Sequence, residues 1–368
     1  MSALTGDRAL LPEPILVVGS GLIGTSVALS LRRAGLDVLL SDIDEASVST
    51  AVERGAGRAL GPDDQPAIVV VAVPPSHAAT ALAEASARWP EATLTDVTSV
   101  KGVVLQAAVE QGADPSRLVG GHPMAGREVS GAGAALANLL DDRLWVVTPL
   151  EGSDVEHVRR VHRLITVCGA TPIEMGVSEH DDAVALVSHA PQVLASALAS
   201  QLTRSDDDAV RIAGQGLRDM TRIAASNVPM WSDILSANAS SVADILDRLA
   251  GDLGRTADAL RAAASNADGD LGDVTRLLEA GVVGQQRIPG KHGAAPSSYR
   301  EVLVQIADRP GELGRLFTAA SDAGINLEDV RIEHVLGRPS GLVGISVRPD
   351  AGESLIGALR EQGFEVRA

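Results

Sequence analysis

Residues 15–42 read ILVVGSGLIGTSVALSLRRAGLDVLLSD, and the fold turns on them. ILVV is a short buried strand. GSGLIG follows at once, then a helical run ending LRRAG, then a second strand, VLLSD. Gly19, Gly21 and Gly24 therefore form G-x-G-x-x-G between a strand and the mouth of a helix. The first glycine permits a tight turn, the second lets backbone approach a pyrophosphate, and the third lets the helix sit close on the strand. Leu22 and Ile23 complete the loop, where helix N–H groups and the helix dipole favour phosphate charge. Asp42 ends the second strand, 18 residues after Gly24, where a carboxylate can accept from both ribose hydroxyls. Asp44 and Glu45 stand close behind it with no arginine directly following, which repels a 2′-phosphate. The pattern predicts NAD rather than NADP as cofactor.

Further strands follow outward from this stretch: AIVVVAVP (67–74), ATLTDVTS (92–99) and RLWVVTP (143–149), separated by Ala-rich helical segments. That alternation predicts an α/β, Rossmann-type doubly wound parallel sheet for a dinucleotide-binding domain over residues 1–175. From about Gly176 strand signals stop, and residues 176–284 read as an all-α domain. QQRIPGKHGAAPSS (285–298) has Gly, Pro and Ser without periodicity and reads as a linker. Residues 299–368 then alternate as βαββαβ, a small ferredoxin-like domain.

Composition narrows the function. The chain has 368 residues, 45% of them hydrophobic but only 2% aromatic, so its cores are packed from Ala, Val, Leu and Ile. A net charge of −17 argues against nucleic acid or an anionic membrane as partner. An anionic substrate must then be held locally by a few arginines. Lys101 and Lys291 are the only lysines, which removes lysine from most mechanistic roles, and Cys168 is the only cysteine. One cysteine permits no intrachain disulfide and no cysteine metal cluster. The most apolar helical candidate, 183–202, is interrupted by Ser188, His189, Pro191 and Gln192 and makes a poor membrane span. No signal peptide is visible, and a soluble cytoplasmic protein is expected.

Three segments bear on a substrate. TDVTSVKG places Ser99 and Lys101 just past the C-terminal end of a strand, where doubly wound sheets bind ligands. GGHPMAGRE (120–128) brings His122 in from a loop at the same sheet end. SHAPQ sets His189 and Gln192 three residues apart on one helix face, with Pro191 between them at a local cost of about 3 kcal/mol. These motifs, with EHDDAVALVSHAPQ and LRDMTRIAASNVPMW, resemble the prephenate and arogenate dehydrogenases over residues 13–265. The tail, IADRPGELGRLFTAASDAGINLEDVRIEH, resembles an ACT domain, a module that commonly binds amino acids in regulation.

The resemblance implies an oxidative decarboxylation in which hydride leaves C4 of a cyclohexadienol for NAD and CO2 departs as the ring aromatises. On that reading His122 draws off the C4 hydroxyl proton, and Ser99 orients His122 and touches the hydroxyl or the nicotinamide. Arg222 pairs with a substrate carboxylate, His189 lines the pocket, and Glu128 and Trp231 stand near its entrance. His180 is equally a structural helix-start residue or a functional one. One position departs from the family pattern: Gln192 replaces the second histidine of SHxPH, so a side chain ending in an amino acid, as in arogenate, stands beside prephenate as the substrate. The family's helical domains usually pair two chains, which implies a homodimer. In the tail, Asp308, Pro310, Gly311 and Leu313 form a turn and helix start suited to an amino-acid carboxylate, and Asn326 matches a ligand-contacting position. The ligand implied is tyrosine; the same module could instead serve dimerisation alone. No metal is expected. A β-hydroxyacid dehydrogenase would need a lysine at the start of the helical domain, where neither Lys101 nor Lys291 lies. A non-catalytic NAD sensor with an amino-acid-binding tail would share the glycine loop and would survive loss of His122.

Overall fold

The structure, a computed structural model, describes residues 11–126, 129–265, 270–288, 299–334 and 340–367. It divides into two compact units, Met1–Leu249 and Ala250–Ala368. The first is built on an eight-stranded sheet in the order β3-β2-β1-β4-β5-β6-β7-β8. Its strands are β1 Ile15–Val18, β2 Val38–Ser41, β3 Arg58–Ala59, β4 Ile68–Val71, β5 Thr93–Asp96, β6 Leu118–Pro123, β7 Leu144–Pro149 and β8 Thr171–Glu174. Side chains alternate across it: Ile15, Val17, Ile68 and Val70 enter one core, Leu16, Val69 and Val71 the other. Helices α1 (Leu22–Arg33) and α5 (Val155–Val167) cover the first face; α3 (Pro75–Arg88) and α4 (Gly102–Glu110) cover the second. Burial on both faces is why these strands are continuous aliphatic runs. The helix α2 (Glu45–Glu53) follows β2 and is capped by Asp44, which accepts from the Ala46 and Ser47 N–H groups.

The sheet is the expected parallel one except at one edge. Strands β1 to β6 run parallel, but β7 pairs antiparallel with β6. The chain after Pro123 returns to the same end of the sheet before Leu144, with no crossover helix among the described residues between, so β7 runs backwards. The second correction concerns GGHP, expected as a loop. It is the end of β6, with His122 opposite Val146. Its glycines serve close packing: a Cβ on Gly121 would stand 2.7 Å from the Asp96 carbonyl oxygen and 2.8 Å from Trp145 Nε1.

Beyond β8 the first unit is helical: α6 (Val177–Val184), a π-helical turn (Ala185–His189), α7 (Ala190–Gln201), α8 (Asp207–Arg211), α9 (Gln215–Thr221), a 3-10 turn (Arg222–Ala224), α10 (Val228–Ala237) and the start of α11 (Ala239–Ser265). The wide turn ends at His189, two residues before Pro191, which lies in the first turn of α7. Residues Val177–Arg204 are long and apolar enough to cross a membrane by length and composition alone. Their buried members nonetheless include His180, Asp181, His189 and Gln192.

In the second unit α12 (Gly272–Gln285) enters the segment expected as a linker, and residues 289–298 lie outside the described residues. Four strands follow, β9 Arg300–Ala307, β10 Asp329–His334, β11 Ser340–Val347 and β12 Glu365–Arg367, in an antiparallel sheet of order β10-β11-β9-β12. Helices α13 (Glu312–Asp322) and α14 (Gly352–Glu361) pack on it through Leu316, Ala319, Leu355 and Leu359. The unit's core is its own.

Candidate active site

The glycine loop leaves β1 and opens α1. Gly19 has a φ of +103°, and a Cβ there would stand 2.3 Å from the Ala72 carbonyl oxygen; a Cβ on Gly24 would stand 1.9 Å from the Gly19 carbonyl oxygen. Gly21 faces open space. The N-terminus of α1, with Leu22 and Ile23 in its first turn, has no side-chain cap, which leaves its N–H groups for a ligand. A cavity of about 540 Å³ lies over this loop, lined by Gly19, Gly21, Asp42, Ile43, Val73 and Glu84 among others. Asp42 Oδ2 accepts from the Ser20 N–H at 2.5 Å and Oδ1 from the Asp44 N–H at 2.9 Å, so the carboxylate is fixed at the mouth of the cavity. Ile43 is fully exposed beside it, an apolar surface against which a base can lie. Open backbone at Gly21, an uncapped helix and a fixed carboxylate fit a dinucleotide. Asp44 also caps α2, and the Ser47 hydroxyl and the N–H groups of Ala46 and Ser47 hold its carboxyl below the usual range, so it stays ionised behind Asp42.

The second cluster sits at the same end of the sheet. β1, β4, β5 and β6 are parallel neighbours, so Gly19 and His122 share the C-terminal edge. Three strand spacings, about 14 Å, separate β1 from β6. A ligand touching both must extend over β4 and β5. His122 Nδ1 lies 2.9 Å from His180 Nε2, and His180 Nδ1 lies 2.8 Å from Asp181 Oδ1. The carboxylate can only accept, so His180 carries its proton on Nδ1 and its bare Nε2 accepts from His122 Nδ1–H. That leaves the His122 Nε2 lone pair as the free acceptor. Asp181 is itself held by the N–H groups of Lys101 and Gly102, at 2.9 and 2.7 Å. Burial alone would raise its pKa; the bonds from His180, Lys101 and Gly102 outweigh that and lower it. The His122 pKa is pushed well down, first by burial, then by the charge of Lys101 and by His180 and His189. The imidazole is a neutral acceptor at neutral pH.

Ser99, expected to orient His122, is half-buried and hydrogen-bonds none of the described residues; the orienting bond comes from His180 instead. His180 is the residue that sequence reasoning left undecided; its signals were the family motif EHDDAVALVSHAPQ and its place directly before an aspartate at a helix start. His189 is buried, its Nδ1 3.2 Å from Asn238 Nδ2, which also donates to the Asp181 carbonyl at 2.8 Å. Its ring meets Trp231 edge-on at 6.1 Å. Gln192 is buried with its amide nitrogen 2.8 Å from Ser226 Oγ. Arg222 is exposed on its 3-10 turn, which packs on α7. Glu128 lies outside the described residues. Among the described residues no group of three or more His, Cys, Asp or Glu could hold a metal ion.

The second unit has a cavity of about 350 Å³ lined by Asp308, Pro310, Gly311, Leu313, Ile332 and Gly341 among others. Gly311, at φ +92°, starts α13 without a side-chain cap. Asn326, expected at this site, donates to Glu328 at 3.0 Å and is not among the residues lining the cavity.

Two family models match the chain: prephenate dehydrogenase, nucleotide-binding domain, over residues 27–174, and prephenate dehydrogenase, dimerization domain, over residues 177–279. The probable prephenate dehydrogenase NovF of Streptomyces niveus is 34% identical over 352 residues, 94% of this chain and 97% of its own length. The prephenate dehydrogenase of Bacillus subtilis (strain 168) is 28% identical over 368 residues, 97% of this chain and 96% of its own. Among solved structures, prephenate dehydrogenase from A. aeolicus in complex with hydroxyphenyl propionate and NAD+ aligns with a TM-score of 0.66 at 30% identity, covering 75% of this chain and 99% of that one.

Proposed function

The chain belongs to the prephenate dehydrogenase family, and from that premise we propose how its residues carry the reaction. It is an NAD-dependent prephenate dehydrogenase, converting prephenate to 4-hydroxyphenylpyruvate, CO2 and NADH. The observation that carries the reading is the His122–His180–Asp181 chain at the sheet edge that also bears the dinucleotide cavity. NAD, held by Gly19–Gly24 and Asp42, supplies a hydride acceptor for the substrate's C4. His122 Nε2 accepts the C4 hydroxyl proton as the carbonyl forms, and the imidazolium is stabilised through His180 by Asp181. The carboxylate–ring bond then breaks, its electron pair closes the aromatic ring, and the ring oxygen takes a proton back. The chain's arginine for a substrate carboxylate is Arg222; Ser99, His189, Gln192 and Trp231 complete the proposed substrate pocket. These roles rest on the family motifs and on the hydrogen bonds described.

NADH formation with prephenate and with arogenate, offered in parallel, tests the reading. Turnover of prephenate is expected. Turnover of arogenate alone would overturn the substrate assignment and point to the neutral Gln192, whose amide nitrogen is engaged by Ser226. Activity with neither would leave the sensor reading.

The homodimer belongs to the same proposal. Its support is the dimerization-domain match over residues 177–279 and the exposed Leu186, Val187, Ile212 and Met220 within them. The second unit is read as an ACT-like regulatory domain that binds tyrosine; its support is the βαββαβ order and the cavity at Asp308–Leu313. Tyrosine at millimolar concentration should change rate or melting temperature, and an unchanged protein would end that reading. A cytoplasmic setting accords with one free, buried cysteine, Cys168.

A further inference from the structure

Lys101 and Asp96 form an ion pair with neither side chain exposed. Burial strips both charges of hydration, so a pair with no other work is a poor way to gain stability. Its hydrogen bonds show what it holds. Lys101 Nζ donates to the Gly121 carbonyl at 2.7 Å and to Thr98 Oγ1 at 2.9 Å, while Asp96 Oδ1 accepts from the Gly121 N–H at 3.1 Å. Both main-chain groups of the residue before His122 are thus clamped by the pair. Lys101 acts from a second side through its own main chain. Its N–H and that of Gly102 fix the Asp181 carboxylate, which fixes His180, which bonds the His122 ring.

We propose that the buried Asp96–Lys101 pair is the positioning device for the His122 imidazole, holding its backbone through Gly121 and its ring through Asp181 and His180. The proposal rests on His122 as the proton acceptor. Among the described residues the charged and titratable groups that act on the imidazole are Lys101 from the β5–α4 turn, His180 from α6 and His189 from the π turn, with Asp181 behind His180 and Asp96 behind Lys101. Lys101 is the ammonium of this set: burial pulls its pKa down, the contacts with Asp96 oppose that, and its charge adds to burial in disfavouring the imidazolium.

The test uses the full chain with Lys101→Met and with the double variant Asp96→Asn/Lys101→Met, which leaves no unpaired buried charge, against His122→Asn. Steady-state kinetics are followed across pH, and the imidazoles of ¹⁵N-histidine-labelled protein are titrated, with His122→Asn assigning the signal. In the double variant kcat should fall about tenfold or more with KM changed far less, as expected when a catalytic group is held less exactly in place. The acid limb of kcat and the His122 titration should both move to higher pH, because the Lys101 charge that disfavours the imidazolium is gone. A merely structural pair would lower the melting temperature and leave kcat, acid limb and titration where they were; that result overturns the proposal. If His122→Asn keeps its turnover, the proton-acceptor reading falls instead, and the imidazole titration still decides whether the pair sets the state of His122.

Discussion

The role proposed for His122, a base, depends on its neighbours. A proton acceptor must be neutral to work, and burial with the Lys101 charge pushes its pKa well below the ordinary imidazole range. The active form therefore persists as pH falls through 6.5, the unperturbed value. kcat/KM with prephenate should be flat there and fall only at lower pH; an acid limb at or above 6.5 would contradict the assignment. His122→Asn should lower kcat by about 10²–10⁴-fold, with the NAD dissociation constant unchanged in a fluorescence titration. His189 gives a stability test. Burial holds its pKa down to about 4, so the folded chain refuses a proton that the unfolded chain accepts. Its stability contribution is complete above about pH 6.5 and is lost as pH falls toward 4. Replacing His189 with Gln should flatten that part of the melting-temperature profile.

At the scale of the element, β6 links packing to chemistry. Gly121 admits no side chain without displacing the Asp96 main chain or the Trp145 indole. Gly121→Ala should cost about 1–3 kcal/mol by overpacking, read by denaturant unfolding, and should lower kcat as well because His122 is the next residue. The strands at 15–18, 38–41 and 68–71 were legible as aliphatic runs because burial on both faces selects such runs directly. LVGGHP was not, since two glycines and a proline imitate a turn when the strands that crowd them are unseen. The π turn at Ala185–His189 was hidden for the same reason: Pro191 announces a break but not its form.

At the scale of the molecule, each of the two compact units has a cavity of its own. Hydrogen exchange should therefore respond separately. NAD should protect amides around Gly19–Gly24, and tyrosine those around Ile306–Leu313. Protection of the first segment by tyrosine alone would argue that the second cavity is not its site.

By itself the sequence determined the strand–glycine loop–helix unit, the acid at Asp42 and the βαββαβ order of the tail, because periodicity, turn chemistry and short spacings are local. It also singled out His122, by its motif. Only the tertiary structure decided what His122 can do. Its partner His180 is 58 residues away, Asp181 is held by the main chain of residues 101 and 102, and Lys101 reaches back across the sheet to Gly121. Proton position and charge depend on distances of about 3 Å between such segments, and those distances are set by strand order and helix packing, which no local pattern encodes.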